Sequence, residues 1–344
     1  MTTHEAYRKL AEMTRHADSE LLIKIFSRAM SPEEAEFLLA LPAANDDLAI
    51  KFNLKEDAVE ERIQELMKRG LVVPSRKGAR FPRDLSFIRD EMLSSSPEFI
   101  PPELPGLWKE LYEREWRDEL AEALSAVEFQ ALRVLPAQKA VPPDVELLPW
   151  EDVGQIIGAA KSVAVRDCAC RIMMKGCQLP VHTCMQFNRR ADYSLGRGGS
   201  KQVTVEEVRA TALSSEDAGV VPIVANIGAM ERLDYICYCC DCCCSVLDPL
   251  KRVERLHEGL AKSRFMAVVD QDACTGCQTC VERCHFDAIE MVKVPGAKKL
   301  KAAVDPEKCF GCGLCVLTCE DDALTLKLER PPEHIPGTHL ELIP

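Results

Sequence analysis

Residues 274–284 read CTGCQTCVERC, and residues 309–319 read CFGCGLCVLTC. The second stretch lies 35 residues after the first, and the correspondence runs past the cysteines: Ala267, Val269, Asp270, Gly276, Val281 and Ala288 recur as Ala302, Val304, Asp305, Gly311, Val316 and Ala323. The chain therefore carries a duplicated unit. Three thiols spaced two residues apart wrap a tight loop around one face of an iron–sulfur cube. Glycine lets the backbone approach the inorganic sulfides, and a fourth thiol, leaving on a short helical turn, reaches the other cube. On this logic Cys274, Cys277, Cys280 and Cys319 hold one [4Fe-4S] cluster, and Cys309, Cys312, Cys315 and Cys284 hold a second. Four-cysteine sites also hold zinc; eight cysteines in a doubled spacing favour the clusters.

Over residues 265–328 the repeat resembles the bacterial two-cluster ferredoxin domain. The resemblance implies a small domain of two βαβ-like repeats and one-electron chemistry. One departure is plain: the proline usual after the fourth cysteine is replaced by His285 and Glu320, which leaves the ligands intact but alters what surrounds each cluster. Glu320, Asp321 and Asp322 crowd the loop after Cys319, and fixed negative charge there should lower that cluster's potential. A protonated His285 should do the reverse.

A chain of 344 residues with 47% hydrophobic content has room for two or three domains with ordinary cores. Its N-terminus, MTTHEAYRKLAEMTRHADSE, lacks an apolar signal region, so the eighteen cysteines are expected in a reducing, cytoplasmic setting as thiols able to hold metal. The longest apolar run, VVPIVANIGAM at 220–230, is too short for a membrane span. A net charge of -12 disfavours generic nucleic-acid binding.

An α+β multidomain chain is predicted. Residues 1–95 read as helices and then a small hairpin. Ser31-Pro32-Glu33-Glu34 forms a capping box, helices are expected at 47–52 and 55–69, and LVVPSRKGARFP reads as two strands about a turn. That order looks like a winged-helix domain. Glu56, Asp57, Glu60 and Glu61 would set like charge against phosphates, so DNA binding is disfavoured and a protein-docking or homodimerisation module is expected. The basic wing residues Arg76, Lys77, Arg80 and Arg83 suit an acidic partner or a solvated face. Residues 96–139 read as a helical linker region: a proline-rich stretch from Pro97 to Pro105 should be extended, and a helix is expected over 107–132.

Residues 140–262 read as an α/β cysteine-rich domain, residues 263–330 as the two-cluster ferredoxin domain, and residues 331–344 as a tail. In the cysteine-rich domain a helix is expected from about 150 to 160. The strand SVAVRD then delivers Cys168 and Cys170, followed by Cys177 and Cys184; later come Cys237, Cys239, Cys240, Cys242, Cys243 and Cys244. Ten cysteines in 77 residues exceed what core packing explains. On an extended chain Cys168 and Cys170 would project to one side, about 7 Å apart. Six cysteines within eight residues are too crowded for one cube. One or two further iron–sulfur clusters are expected, with a zinc site or a redox-active thiol pair as alternatives. The arrangement also resembles an uncharacterised group of bacterial and archaeal ferredoxin-like proteins that carry a CxCR segment, two later cysteines and a CxCCxCC block. This resemblance spans residues 140–328 and implies iron–sulfur chemistry without a substrate.

Between Lys161 and Lys201 eight Lys or Arg residues stand against two Asp. Cations beside thiols favour thiolate and offset cluster charge, which makes Arg166 and Arg171 candidate supports of the CxC pair, with His182 and His285 as further candidates beside the clusters. Alternatively Arg189, Arg190, Arg197 and Lys201 bind an anion near GRGGSK, a loop without P-loop order. No Cys-x3-Cys-x2-Cys motif and no GxGxxG after a strand is present, which sets aside radical-SAM and dinucleotide chemistry. The leading expectation is an electron-transfer protein or a subunit of an anaerobic oxidoreductase system, passing low-potential electrons to a redox partner protein. A reductase or reductive activator with catalysis in the middle domain is the first alternative, and a redox-responsive winged-helix regulator the second.

Overall fold

The computed structural model of the chain describes residues 3–126 and 130–336; residues 337–344 of the expected tail and 127–129 of the expected 107–132 helix lie outside the described residues. The chain forms two compact units and passes between them several times. Met1–Arg117, Arg166–Lys175 and Tyr193–Lys201 make the first; Asp118–Val165, Gly176–Asp192 and Gln202–Pro344 make the second. Helices and strands are both plentiful, which makes this an α+β protein.

The first unit begins with helices Thr3–Met13, Glu20–Ala29, Pro32–Ala40, Asn45–Phe52 and Glu56–Lys68. A hairpin of β1 (Val73–Ser75) and β2 (Gly78–Arg80) follows, then helix Leu85–Leu93. The Ser31 capping box forms: the serine hydroxyl accepts from the Glu34 amide, and the Glu34 carboxylate accepts from the Ser31 amide at 2.7 Å. Phe26, Phe37, Leu66 and Phe81 are buried beneath these elements, while Glu56, Asp57, Glu60, Glu61 and the basic hairpin residues Arg76, Lys77, Arg80 and Arg83 are exposed.

Two local expectations fail. The proline-rich stretch is not extended throughout: Pro97–Phe99 make a single 3-10 turn, and a helix starts at Leu104 because Pro105 occupies the first turn, where its missing N–H removes no helical bond. That helix continues through a π turn at Tyr112–Trp116 into Arg117–Ser125 and stops there; Leu132–Val134 is a strand. Pairing with a sheet wins over helical periodicity at Leu132, a long-range effect that local pattern does not show.

β3 (Leu132–Val134), β4 (Val163–Asp167), β5 (His182–Phe187), β6 (Lys201–Gln202), β7 (Val221–Ala225), β8 (Tyr235–Cys239) and β9 (Leu260–Ala261) form one sheet in the order β6-β4-β5-β8-β7-β3-β9, whose residues belong to the second unit except Arg166 and Asp167 of β4 and Lys201 of β6. Its middle is antiparallel, with β8 between β5 and β7. Side chains alternate across a strand, and β8 uses that alternation to separate two interiors. Ile236 and Tyr238 enter a core with Val153, Ile157, Met185, Phe187 and Val208, whereas Cys237 and Cys239 face the opposite core.

That opposite core contains the duplicated repeat. β10 (Phe265–Val269) pairs antiparallel with β13 (Leu324–Leu328), and β11 (Ile289–Val292) with β12 (Lys301–Val304), so each ladder joins a strand from one repeat to a strand from the other. The short helices Thr279–Glu282 and Leu314–Leu317 carry Cys280 and Cys315, the third cysteine of each repeat. Phe286 stacks on Phe310 with ring centroids 4.4 Å apart. The duplication extends to backbone conformation: Gly276 and Gly311 have φ of 74° and 70°, and Asp287 and Asp322 have φ of 51° and 49°. At Gly311 a Cβ would overlap the Phe265 carbonyl, so only glycine fits this left-handed turn.

Helix Val205–Ala218 begins with the Thr204 capping box and ends at Gly219, which is left-handed. It buries Glu216, whose carboxylate accepts from the Gln138 amide at 3.0 Å. Burial raises Glu216 to about 7, against opposing help from Gln138 and Lys139. Its stabilising contribution is fully present below the unfolded-state value and is lost as pH rises through about 7, because the folded chain must then ionise a buried acid. Glu216→Gln should flatten the stability profile between pH 5 and 8, where the wild type loses on the order of 3 kcal/mol. Urea denaturation at several pH values measures this; equal slopes for the two proteins would refute it.

Candidate metal centres

Two recesses lie between the repeats. Cys274, Cys277, Cys280 and Cys319 line one of about 350 Å³, and Cys309, Cys312, Cys315 and Cys284 line the other of about 340 Å³, so each takes three thiols from one repeat and one from the other. Main-chain amides point at the sulfurs: Ala302 donates to Cys274 Sγ at 3.5 Å, Ala288 to Cys284 Sγ at 3.3 Å and Ala323 to Cys319 Sγ at 3.3 Å. Burial pushes the Cys312 thiol up to about 12, with Cys284 and Cys309 adding to it, and raises Cys284, Cys280 and Cys315 as well. Crowded, buried thiols that resist ionisation are the partners a cationic core relieves, since metal coordination deprotonates a thiol outright. The donor set, its amide support and its recesses therefore fit a [4Fe-4S] cluster at each site.

The two sites differ in exposure and in charge. Cys277 is exposed, and the Thr279 hydroxyl, 3.5 Å away, lowers its thiol. Asp321 nearby accepts from the Thr275 hydroxyl at 2.6 Å. Around Cys284 the chain is enclosed. His285 donates from Nδ1 to Asp241 Oδ1 at 2.9 Å and from Nε2 to the Gly219 carbonyl at 2.7 Å. Both partners accept, so the ring carries both protons. Burial opposes that charge, but the bonds to Asp241 and Gly219 outweigh it and leave His285 above its ordinary value. Lys251 completes the network, reaching Asp241 at 2.7 Å and Asp287 at 2.8 Å. Asp241 and Lys251 were not singled out in the sequence; the position of Asp241 inside the CxCCxCC block was the available signal.

The fold divides the ten middle cysteines three ways. Cys168 and Cys170 belong to the first unit. They are not on an extended chain: β4 ends at Asp167 and a helix begins at Ala169, so Cys168 is its N-cap residue. Arg89, 1% exposed, donates to Cys170 Sγ at 3.5 Å. Burial opposes its charge, yet Asp90 and the thiols of Cys170 and Cys168 raise its pKa above the ordinary arginine value. Arg166, a candidate support of the CxC pair, donates to Glu91 at 2.8 Å and to the Ser94 hydroxyl at 2.9 Å. Arg197, expected to meet an anion, is buried and pairs with the same Glu91 at 2.7 Å, while Arg189 is 92% exposed by side chain. Arg171 is buried. Arg89 and Glu91 sit in no motif, and sequence reasoning missed both.

A second group gathers on the ferredoxin-side face of β8. Met185 pairs with Ile236 in the antiparallel β5–β8 ladder, and one step further in that register sets Cys184 against Cys237. Cys239 follows on the same face. Hydrogen bonding with Cys237 and then Cys244, followed by burial, pushes the Cys239 thiol well up. His182, at the start of β5, is exposed. The third group is Cys177, Cys240, Cys242 and Cys243, whose sulfurs all lie within 4.8 Å of one another. None of the eighteen cysteines is in a disulfide. Among the described residues no helix is long and apolar enough to cross a membrane.

Comparison with known families matches residues 273–323 to the 4Fe-4S dicluster domain. No curated protein and no solved structure matches the chain. The matched segment supports a C-terminal ferredoxin-like domain with two [4Fe-4S] clusters, and together with the thiol groups of the middle region it indicates iron–sulfur electron transfer.

Proposed function

We propose that this chain is an electron-transfer protein or subunit of an anaerobic oxidoreductase system, working in the cytoplasm, with a third iron–sulfur centre held by Cys184, Cys237, Cys239 and Cys244. A [4Fe-4S] cluster, when bound, supplies one-electron exchange at low potential. The observation that carries the reading is the sorting along β8: Cys237, Cys239 and Cys244 pack into the same apolar cluster as seven of the eight ferredoxin cysteines, all but the exposed Cys277, and not into the helix-side core. An apolar surrounding keeps water from the sulfurs and lowers the local dielectric between the sites. The chain also gives the two ferredoxin sites different roles. Exposed Cys277, beside Thr275 and Asp321, presents its site to a redox partner. The enclosed Cys284 site faces inward, where His285, Asp241 and Lys251 hold the loop in place.

In the first unit the helix Glu56–Lys68 followed by the β1–β2 hairpin supports a winged-helix-like module for protein docking or self-association. Its exposed acidic helix argues against DNA as the partner.

The test is iron and sulfide analysis of the full chain made without oxygen. About twelve irons per chain are expected, falling to about eight in Cys239→Ala with both ferredoxin signals retained. About eight irons in the wild type, with no change on substitution, would remove the third centre from the proposal.

A further inference from the structure

Cys177, Cys240, Cys242 and Cys243 have a geometry unlike that of the ferredoxin quartets. Their sulfurs are nearly touching: Cys177 to Cys240 is 4.0 Å, Cys177 to Cys243 is 3.7 Å and Cys242 to Cys243 is 3.6 Å. Four thiolates around one tetrahedral ion with metal–sulfur bonds of about 2.3 Å stand about 3.8 Å apart along each edge. A cube places an iron between each thiolate and a sulfide core, so its thiolates must spread more widely. Neither ferredoxin quartet appears among the sets of ligand atoms that all fall within 4.8 Å, and among the described residues this quartet alone meets that spacing.

We propose that this quartet binds a single divalent, thiophilic metal ion, zinc, as a closed tetrathiolate that pins the segment after Gly176 to the turn after β8. All four donors are soft sulfur, the set that selects zinc over magnesium or calcium, and four protein ligands leave no open position for chemistry. The backbone is shaped for it. The Cys244 amide donates to the Cys240 carbonyl at 3.1 Å, closing the turn that turns Cys240, Cys242 and Cys243 toward Cys177. Gly176 leaves no space to spare, since a Cβ there would come within 3.2 Å of Cys243 Sγ. Asp241, the one carboxylate inside the block, is engaged by Lys251 at 2.7 Å and by His285 at 2.9 Å rather than offered to the sulfurs. The ion would thereby fix the turn that presents Asp241 to His285, one residue from Cys284. The proposal concerns a different set of thiols from the third iron–sulfur centre and stands or falls without it.

The experiment uses the full chain, prepared anaerobically with its iron–sulfur clusters reconstituted and then gel-filtered in the presence of a chelator. Expected are about one zinc per chain, a zinc absorption-edge spectrum fitted by four sulfurs at about 2.3 Å with no iron neighbour, and loss of that zinc in Cys240→Ala/Cys243→Ala with iron and sulfide unchanged. Absence of zinc from the wild type, or loss of iron and sulfide with the double substitution, overturns the proposal. So does a shell of nitrogen and oxygen, which marks an adventitious ion only. Should the double variant fail to fold, the wild-type spectrum and cobalt substitution decide alone: tetrahedral thiolate-to-cobalt bands support the site, and octahedral bands refute it.

Discussion

Cys284→Ala is expected to delete the cluster whose other three ligands are Cys309, Cys312 and Cys315, although Cys284 lies in the first repeat. The recess geometry assigns it there, with Cys284 lining the same cavity as the second-repeat thiols. About four irons should be lost per chain, and the paramagnetic signal that disappears should be the one lost in Cys309→Ala. The signal lost in Cys274→Ala should survive. Alanine is preferable to serine because a serine oxygen can replace a thiolate and blur the result. Anaerobic iron analysis with low-temperature EPR of the dithionite-reduced chain measures it. If Cys284→Ala and Cys274→Ala lost the same signal, the crossed assignment would be wrong.

The second large effect lies in the first unit and concerns stability. Glu91 is fully buried and is the carboxylate shared by Arg166 at 2.8 Å and Arg197 at 2.7 Å. Ser94 and Ser95 supply hydroxyls to the same guanidinium groups. Burial lowers the Arg197 pKa, and Glu91 is the largest influence restoring its charge. Removing the carboxylate in Glu91→Ala leaves two like charges in a dry interior, a loss of about 3–5 kcal/mol. Glu91→Ala with Arg197→Met should recover part of that loss, because one uncompensated charge has gone. Trp108 and Trp116 lie in this unit and report it by fluorescence in a urea titration. A midpoint unchanged by Glu91→Ala would show that the network is dispensable.

What was legible in the sequence was what chemistry imposes locally. Ligand spacing in the ferredoxin repeat is a matter of two or three residues, and so are the capping boxes at Ser31 and Thr204; both kinds of signal survive without tertiary information. The partition of the middle cysteines was not legible, because it depends on which distant segments meet. Cys177 approaches Cys243 across 66 residues, and Cys184 meets β8 only through sheet register. A partial signal was present in Tyr235-Ile236-Cys237-Tyr238-Cys239, whose alternation assigns thiols and bulky side chains to opposite faces of a strand. Charge was the least informative guide. The basic stretch from Lys161 to Lys201 suggested cations around thiols but gave no sign that Arg166 and Arg197 share a glutamate some seventy to a hundred residues earlier in the chain.

The alternation along β8 also bears on strand pairing. Were this strand to pair one residue out of step, Ile236 and Tyr238 would turn into the sulfur-lined chamber, and Cys237 and Cys239 would be stranded among the aliphatic side chains opposite. Hydrophobic sorting thus favours a single pairing register for β8, and that register decides on which face of the sheet its thiols stand.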